Sequence, residues 1–384
     1  MVREMLGFQP YETFQLLIDG GGVDRTNTLL IAACDAYVRR GKPTVPEMEQ
    51  FEALAARLFP AAGPHARAKG AAILARAELL TPDLESLIAA YLGDDLVSWL
   101  GTAQNLSEQT MLELLSRQDA DIAAALAARP DPTNIVLAKL FQVNSRKVYR
   151  ALAANTAISL RGAYLSALAR SAQMDHIVAE SLGTRADFDA ALLAPAFFDL
   201  SDAARLKVIR AFSSRETPAA PIKRTIEQIS VANAELTKAL MKLFSENRRP
   251  EVTRLFSQIT GLDEVRCGQI AHDTSGAALF VVLRAFGCTA EDGLKVLIHA
   301  TSHDQDRSKA LAEFVTLFGT IPQDSMAYLM SAWRGEVNLL ELVRPEYQPF
   351  MQESKRTPVA APARNPAIDQ AIEALARIGT RRAG

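Results

Sequence analysis

Cysteine is scarce in this sequence of 384 residues, and the few cysteines lie far apart. They are Cys34, Cys267 and Cys288. A disulfide framework needs an even number of closely spaced cysteines, so that class of protein is excluded. Cys34 and Cys288 stand in apolar stretches, and we predict that all three are reduced, buried packing residues.

Long hydrophobic runs are also missing. The apolar runs at 190–198 and 276–283 are less than half of the about 20 residues that a membrane-spanning helix needs. Residues 1–5 do not combine a basic region with an apolar one, as a secretory signal does. The sequence therefore predicts a soluble cytoplasmic protein with no membrane partner.

An excess of positive charge is absent as well. The chain holds 42 Lys and Arg against 44 Asp and Glu, a formal net charge of -2. This balance excludes a polybasic protein that gathers nucleic acid or anionic membrane through its overall charge. The charge is mildly asymmetric, because residues 352–384 carry six cationic and three anionic side chains, and their net +3 leaves -5 for residues 1–351.

Strand patterns are nearly absent, because alternation of apolar and polar residues does not recur. Apolar residues at helical spacing occur almost everywhere instead, which predicts an all-α fold. Residues 24–40 place one apolar stripe on a helix face, and Thr44 with Glu47 forms a capping box that starts the next helix.

An internal repeat with a period of 26 residues runs from about residue 66 to 170. The repeated leucines are Leu74, Leu100, Leu126 and Leu152, and the hydroxyl residues seven positions later are Thr81, Ser107, Thr133 and Ser159. Since Ser and Thr are preferred helix N-caps, each unit is predicted to be two short helices joined by a turn. Two short helices cannot bury their apolar faces alone, so such units stack into an α-solenoid of HEAT-like helical repeats.

The repeat pattern changes along the chain. Leu200-Ser201 has the same apolar residue and cap as Ile158-Ser159, one 26-residue period plus an insertion of 16 residues further along. Beyond residue 234 the pattern stays helical, but the 26-residue spacing is lost. The predicted regions are an N-terminal helical cap over 1–65, a repeat array over 66–233, a C-terminal helical region over 234–351 and a tail over 352–384.

The tail differs from the rest in composition. A proline-containing stretch over 353–366 predicts an extended linker. Ile368, Ile372 and Leu375 follow at the spacing of one helix face. This short amphipathic helix either docks on its own solenoid or binds another protein.

The combination of repeated leucine units, Leu/Ile-Ser caps and two later stretches resembles a known family. The stretches are Ile259-Thr260-Gly261-Leu262-Asp263-Glu264-Val265 and Ala278-Leu279-Phe280-Val281-Val282-Leu283-Arg284-Ala285-Phe286-Gly287-Cys288. The chain is similar, over about residues 45–330, to the bacterial proteins grouped as domain of unknown function 2336. The resemblance implies degenerate HEAT-like or leucine-rich-variant helical repeats and a cytoplasmic location. It implies no activity, cofactor or catalytic residue.

Candidates for chemistry are few. His299 and His303, with Asp304 and Asp306 after them, form the one cluster that could hold a metal, although a solvated turn between two helices explains them better. The glycine run 20–22 lacks the lysine and the strand-to-helix context of a phosphate-binding loop. No serine or cysteine stands in a nucleophile elbow, so we expect neither an enzyme nor a cofactor.

A local basic stripe offers another possibility. Arg146, Lys147 and Arg150 lie close together, and Arg161 and Arg170 follow on later turns. Helical-repeat DNA glycosylases grip DNA with such cations. The net charge of -5 and the lack of interleaved aromatic residues favour a solvated face instead.

The sequence as a whole predicts a non-enzymatic scaffold or regulatory adaptor that binds another protein, with the helix at Ile368, Ile372 and Leu375 as part of the contact. A nucleic-acid-binding repeat protein that uses Arg146, Lys147 and Arg150 is the alternative. A helical metalloprotein that uses His299 and His303 is a third, weaker hypothesis.

Overall fold

A computed structural model describes residues 23–130, 132–215, 233–301 and 307–340. All of them lie in the first of two units, Met1–Val343, and the second unit is Arg344–Gly384. Every regular element within the described ranges is helical, which confirms the predicted all-α class.

The described α-helices are short. They are α1 (Val23–Arg40), α2 (Val45–Ala61), α3 (Pro64–Leu74), α4 (Pro82–Tyr91), α5 (Leu96–Thr102), α6 (Glu108–Ser116), α7 (Ala120–Ala127), α8 (Asn134–Gln142), α9 (Arg146–Ala154), α10 (Gly162–Ala172), α11 (His176–Thr184), α12 (Asp202–Ser213), α13 (Asn233–Ser245), α14 (Arg249–Thr260), α15 (Glu264–Ala271), α16 (Ala277–Ala285), α17 (Ala290–Ala300), α18 (Arg307–Thr320) and α19 (Gln323–Trp333). Two 3₁₀ segments, Gly93–Asp95 and Ala190–Asp199, complete the regular structure of these residues.

The predicted N-caps are present in three of the four repeat units. The side chains of Thr81, Ser107 and Thr133 accept hydrogen bonds from backbone N–H groups in the first turns of α4, α6 and α8. Each cap satisfies an N–H group that has no partner within its helix. Outside these units, Ser201 caps α12 in the same way, and the Thr44–Glu47 capping box is formed.

The predicted cap at Ser159 is wrong, because α10 begins three residues later at Gly162. The segment before it is held by the chain that follows α11. Arg185 donates to the carbonyl of Ile158, and the N–H of Leu160 donates to Asp187. Gly162 then takes a φ of 53°, a left-handed conformation that glycine adopts without steric cost, and the helix starts there.

The repeated leucines form the core of this region, because all four are fully buried. Leu96, Ile122 and Val148, each four residues before a repeat leucine and therefore on the same helix face, are buried as well. The helices contact each other in two series, of which the first is α1, α3, α5, α7, α9 and α11 and the second is α2, α4, α6 and α8. Each helix in a series contacts the next one in that series.

The insertion of 16 residues between units contains the ten-residue 3₁₀ segment Ala190–Asp199. Its apolar side chains are mostly buried, and it contacts α11, α12 and α19. The rings of Phe197 and Phe198 pack at a tilt against Trp333 of α19, with 4.9 and 4.8 Å between the ring centroids. The insertion therefore joins the repeat region to the last described helix.

All three cysteines are free and buried, as predicted. Burial raises the pKa of the Cys34 thiol to about 12 and also raises the pKa of Cys267 and Cys288. The thiols are therefore protonated at neutral pH and act as small apolar groups. Among the described helices, none combines the length and the apolar character that crossing a membrane requires.

Candidate functional site

Polar side chains that follow α7 and α9 bind the C-terminus of the preceding helix in the first series. Arg129 donates through Nη1 to the carbonyls of Leu100 and Ala103, at 2.8 and 2.7 Å, at the end of α5. One unit later, Asn155 Nδ2 donates to the carbonyl of Ala127, at 2.9 Å, at the end of α7. Helix C-termini carry unpaired carbonyls and a partial negative charge, which these donors satisfy.

The same arrangement continues at the next two helix ends. Arg185 donates to the carbonyls of Asn155 and Ile158 beyond α9, and Lys207 Nζ donates to the carbonyl of Gly183, at 2.7 Å, in α11. Several arginines and lysines of this region are therefore engaged in holding neighbouring units together. They are not a free cationic surface.

The predicted basic stripe is divided by the structure. Lys147 lies 2.5 Å from the carboxylate of Asp121 on α7, and Arg150 lies 2.7 Å from Asp175 at the start of α11. Arg146 has no carboxylate within 4.0 Å among the described residues. The nucleic-acid hypothesis stays a prediction, but two of its three cations face protein carboxylates.

Arg146 lies instead at a groove of about 420 Å³ between α9 and the turn that joins α10 to α11. We call this the 146–174 groove. Its lining includes Asn144, Arg146, Tyr149, Arg170, Met174 and Asp175. The volume falls in the range of ligand pockets, about 300–1,000 Å³, and suits a few side chains of a bound molecule.

The wall of the groove is held by local contacts. Asn144 has a φ of 48° and ends the turn after α8, where asparagine tolerates the left-handed region. Its Oδ1 accepts a hydrogen bond of 3.1 Å from the hydroxyl of Tyr149. The Tyr149 ring lies 5.9 Å from Phe141, which stacks at 4.6 Å on Tyr164. The phenol is thus positioned by α8 and α10 together.

Among the described residues of the groove lining, the single carboxylate is already neutralised. Asp175 is almost fully buried and accepts hydrogen bonds from Arg150 Nε and from the backbone N–H of Ile177. Burial by itself would raise the pKa of Asp175, but these hydrogen bonds outweigh it and the pKa lies below its ordinary value. Asp175 is therefore ionised at neutral pH, with Arg150 as its counter-charge.

Two cations of the groove keep their charge uncompensated. Arg146 is exposed at the first position of α9, and Arg170 is exposed in the last turn of α10. Arg170 Nε donates to the backbone carbonyl of Ser166, at 3.3 Å. Neither guanidinium has a carboxylate within 4.0 Å in the part of the chain that the structure describes. The groove is consequently positive.

An apolar side chain lies beside these cations. Met174, in the turn before α11, is 81% exposed, the largest exposed fraction among the large apolar side chains of the described residues. A thioether is flexible and polarizable, so it adapts to differently shaped apolar partners. The groove therefore offers two guanidinium groups, a phenol and an exposed thioether, which can bind an anionic and partly apolar molecule.

The other predicted sites are not assembled in the described residues. His299 is exposed on α17, and His303 lies outside the described ranges, as do Ile368, Ile372 and Leu375. Where the structure describes the chain, no group of three or more His, Cys, Asp or Glu side chains could hold a metal ion.

The sequence pattern indicates Arg146 and Arg170 as candidate binding residues but does not indicate Asn144, Tyr149 or Met174. Met174 could have been found, because it stands beside the N-cap Asp175 in a connection of only three residues. An apolar side chain in such a short connection is expected to be exposed. The pairing of Lys147 and Arg150 could not be found in this way, because Asp121 and Asp175 are 26 and 25 residues away in sequence.

Comparison with known proteins agrees with the resemblance drawn from the sequence. The family model of uncharacterised proteins conserved in bacteria, DUF2336, matches residues 99–330. The match begins within α5, later than the predicted residue 45, and it includes all residues of the 146–174 groove. No curated protein and no solved structure matches the chain. Because the family match covers more than half of the 384 residues, the chain belongs to the DUF2336 family of bacterial proteins.

Proposed function

We propose that this protein is a non-enzymatic scaffold or regulatory adaptor of the cytoplasm that binds another protein. In this proposal it is an α-solenoid of short HEAT-like repeats, the 146–174 groove is the binding surface, and the tail helix with Ile368, Ile372 and Leu375 extends the contact. The three unpaired thiols support a reducing compartment.

Two features support the solenoid. The helices of each series contact their successors in chain order, and the donors at Arg129, Asn155 and Arg185 join each unit to the one before it. Nearest-neighbour contacts of this kind are typical of repeat arrays. Leu126→Asp would place an unpaired charge in a fully buried position of α7 and destabilise both adjacent units. Retention of the thermal transition and the helical circular dichroism in this variant would contradict the repeat register.

The observation that carries the binding function is the groove itself. Arg146, Arg170 and Met174 are exposed together at one surface, although nearby cations such as Arg150 and Lys147 are paired within the chain. Exposed arginine, tyrosine and methionine are enriched at protein interfaces. A surface with this composition is better suited to binding a protein than to catalysis.

The proposal is tested by affinity capture with the full chain and mass spectrometry. Arg146→Glu combined with Arg170→Glu reverses both free charges of the groove and should abolish recovery of a specific partner. Arg254→Glu is the matched control, because Arg254 is exposed on α14 and does not line the groove. A partner that both variants retain equally would place the binding function elsewhere on the protein.

The contribution of the tail has its own variant. Ile368→Asp, Ile372→Asp and Leu375→Asp, combined in the full chain, remove the apolar face of the predicted helix. Loss of a partner that the wild-type chain recovers would make the tail part of the contact. Unchanged recovery would limit the contact to the groove.

Nucleic acid is the second candidate partner, because Arg146 and Arg170 could also bind phosphate groups. Titration of labelled duplex and single-stranded DNA at low salt tests it, and the absence of salt-sensitive binding would remove this candidate. The metalloprotein hypothesis with His299 and His303 is decided by metal analysis of protein purified without an affinity tag.

A further inference from the structure

The charge and shape of the 146–174 groove specify which kind of protein segment it would bind. On the basis of the proposed function, we infer that the groove binds an acidic segment of a partner protein, in which one or more carboxylates lie beside a large apolar side chain. Arg146 and Arg170 bind the carboxylates, and Met174 and Tyr149 contact the apolar side chain.

The free charges determine the sign of the ligand. Among the described residues, Asp175 is the only carboxylate of the lining, and it is paired with Arg150 at 2.7 Å, so it does not neutralise Arg146 or Arg170. A guanidinium presents several N–H donors in a planar fork that matches the two oxygens of a carboxylate. An acidic segment would therefore gain charge-assisted hydrogen bonds without displacing an existing partner of either arginine.

The exposed side chain of Met174 favours a peptide over a nucleic acid as the ligand of the groove. A nucleic-acid backbone would bring phosphates along the whole basic stripe, where Asp121 already neutralises Lys147. Asp121 is itself exposed and would repel them. Met174 would contribute little to phosphate binding, because a thioether is neither a cation nor a hydrogen-bond donor. An acidic segment with an apolar side chain satisfies the arginines and covers Met174 at the same time.

The extent of the groove limits the segment to a short one. About 420 Å³ accommodates a few side chains but not the full length of a long helix. The remaining specificity would come from surfaces around the groove or from the tail. We therefore expect moderate affinity for an isolated peptide.

The test is a fluorescence anisotropy titration of the full chain with labelled synthetic peptides. The first peptide carries glutamates on either side of two leucines. The second replaces the glutamates with glutamines, and the third replaces the leucines with serines. We expect the first peptide to bind, with an affinity that falls as salt is added, and each of the other two to bind at least about tenfold more weakly.

Variants of the protein locate the binding. Arg146→Gln and Arg170→Gln should each weaken the first peptide about tenfold, the loss expected for a hydrogen bond to a charged group. Met174→Ser should weaken it a few-fold. Arg254→Gln and Val265→Ser are the matched controls, and both should leave the affinity unchanged. They change residues of other helices, an exposed arginine and a valine whose side chain is 74% exposed.

Several results would overturn the inference. Equal binding of the glutamine peptide would show that charge does not select the ligand, and equal binding to the groove and control variants would show that the groove is not the site. Binding of DNA but not of the first peptide, with loss in Arg146→Gln, would replace the acidic segment with nucleic acid. Failure to bind the peptide also rejects the inference.

The peptide result is separate from the test of the proposed function. If no peptide binds but capture of a partner depends on Arg146 and Arg170, the scaffold function stands and only the acidic class of ligand is rejected. If the wild-type chain recovers no specific partner, the proposed function itself is rejected.

Discussion

Arg205 Nη1 lies 3.1 Å from Asp273 Oδ1, and this ion pair joins α12 to the turn before α16 across 68 residues of sequence. Both side chains are largely buried. Asp273 also accepts hydrogen bonds from the backbone N–H of Ser275, which precedes α16, and from that of Ala278 in its first turn. Arg205 also donates to the carbonyls of Phe197 and Phe198. One pair thus connects the insertion, α12 and the C-terminal helices.

Arg205→Met should lower the free energy of unfolding by about 3 kcal/mol, because it leaves a buried carboxylate without its counter-charge. Urea denaturation followed by circular dichroism measures the change. Arg39→Met is the matched control, since Arg39 pairs with Asp35 on the exposed surface of α1 and should cost at most about 0.5 kcal/mol. Equal effects of the two changes would show that the Arg205–Asp273 pair does not hold these helices together.

Arg129→Met removes the donor that satisfies the C-terminal carbonyls of α5. We expect a loss of about 2 kcal/mol in the free energy of unfolding, as for hydrogen bonds to a charged group. Lys147→Met, on α9, removes a cation whose partner Asp121 is well exposed, and it should change the stability by less than about 1 kcal/mol. If the surface variant cost as much as Arg129→Met, the contact between units would not be a major source of stability.

Gly293→Ala tests the close approach of α17 and α18. A Cβ at position 293 would overlap the ring of Phe318, which packs against Phe280 with 4.8 Å between the ring centroids. We expect destabilisation of about 1–3 kcal/mol, as for other overpacked cores. Gly319→Ala, near the end of α18, meets no atom within 4 Å and should be neutral or slightly stabilising. A thermal unfolding scan of both variants measures the difference, and a stabilised Gly293→Ala protein would contradict the packing.

The stability of the protein should depend on pH through Asp187. The hydrogen bond from Arg185 holds the pKa of Asp187 below its ordinary value, because it favours the ionised carboxylate. The unfolded chain therefore takes up the proton at higher pH than the folded one does. The resulting stabilisation is present above the ordinary carboxyl pKa and is lost as the pH falls through the lowered one.

Asp187→Asn removes this contribution. Its free energy of unfolding should lie below that of the wild type at pH 7, and the difference should shrink as the pH is lowered toward 3. Urea titrations across this range measure it. A difference that stays constant with pH would show that the carboxylate charge at position 187 is not the origin of the effect.

The repeat region shows what could be predicted from the sequence. Local rules sufficed for the caps at Thr81, Ser107 and Thr133, since a hydroxyl binds an N–H two or three residues away. The same rule failed at Ser159, because Arg185 and Asp187 hold the preceding backbone in another conformation. The failure arises from residues 26 or more positions away, which the local pattern does not include.

The sequence by itself determined the helical class, the family and the burial of Leu100, Leu126 and Leu152. It could do so because helical periodicity and helix caps depend on neighbours within a few positions. Only the tertiary structure decided which cations are free. Lys147 and Arg150 are neutralised by carboxylates of other helices, Asp121 and Asp175, whereas Arg146 and Arg170 remain beside Met174. The charge that a surface presents depends on which side chains stacking brings within a few ångströms, and spacing along the chain does not contain that information.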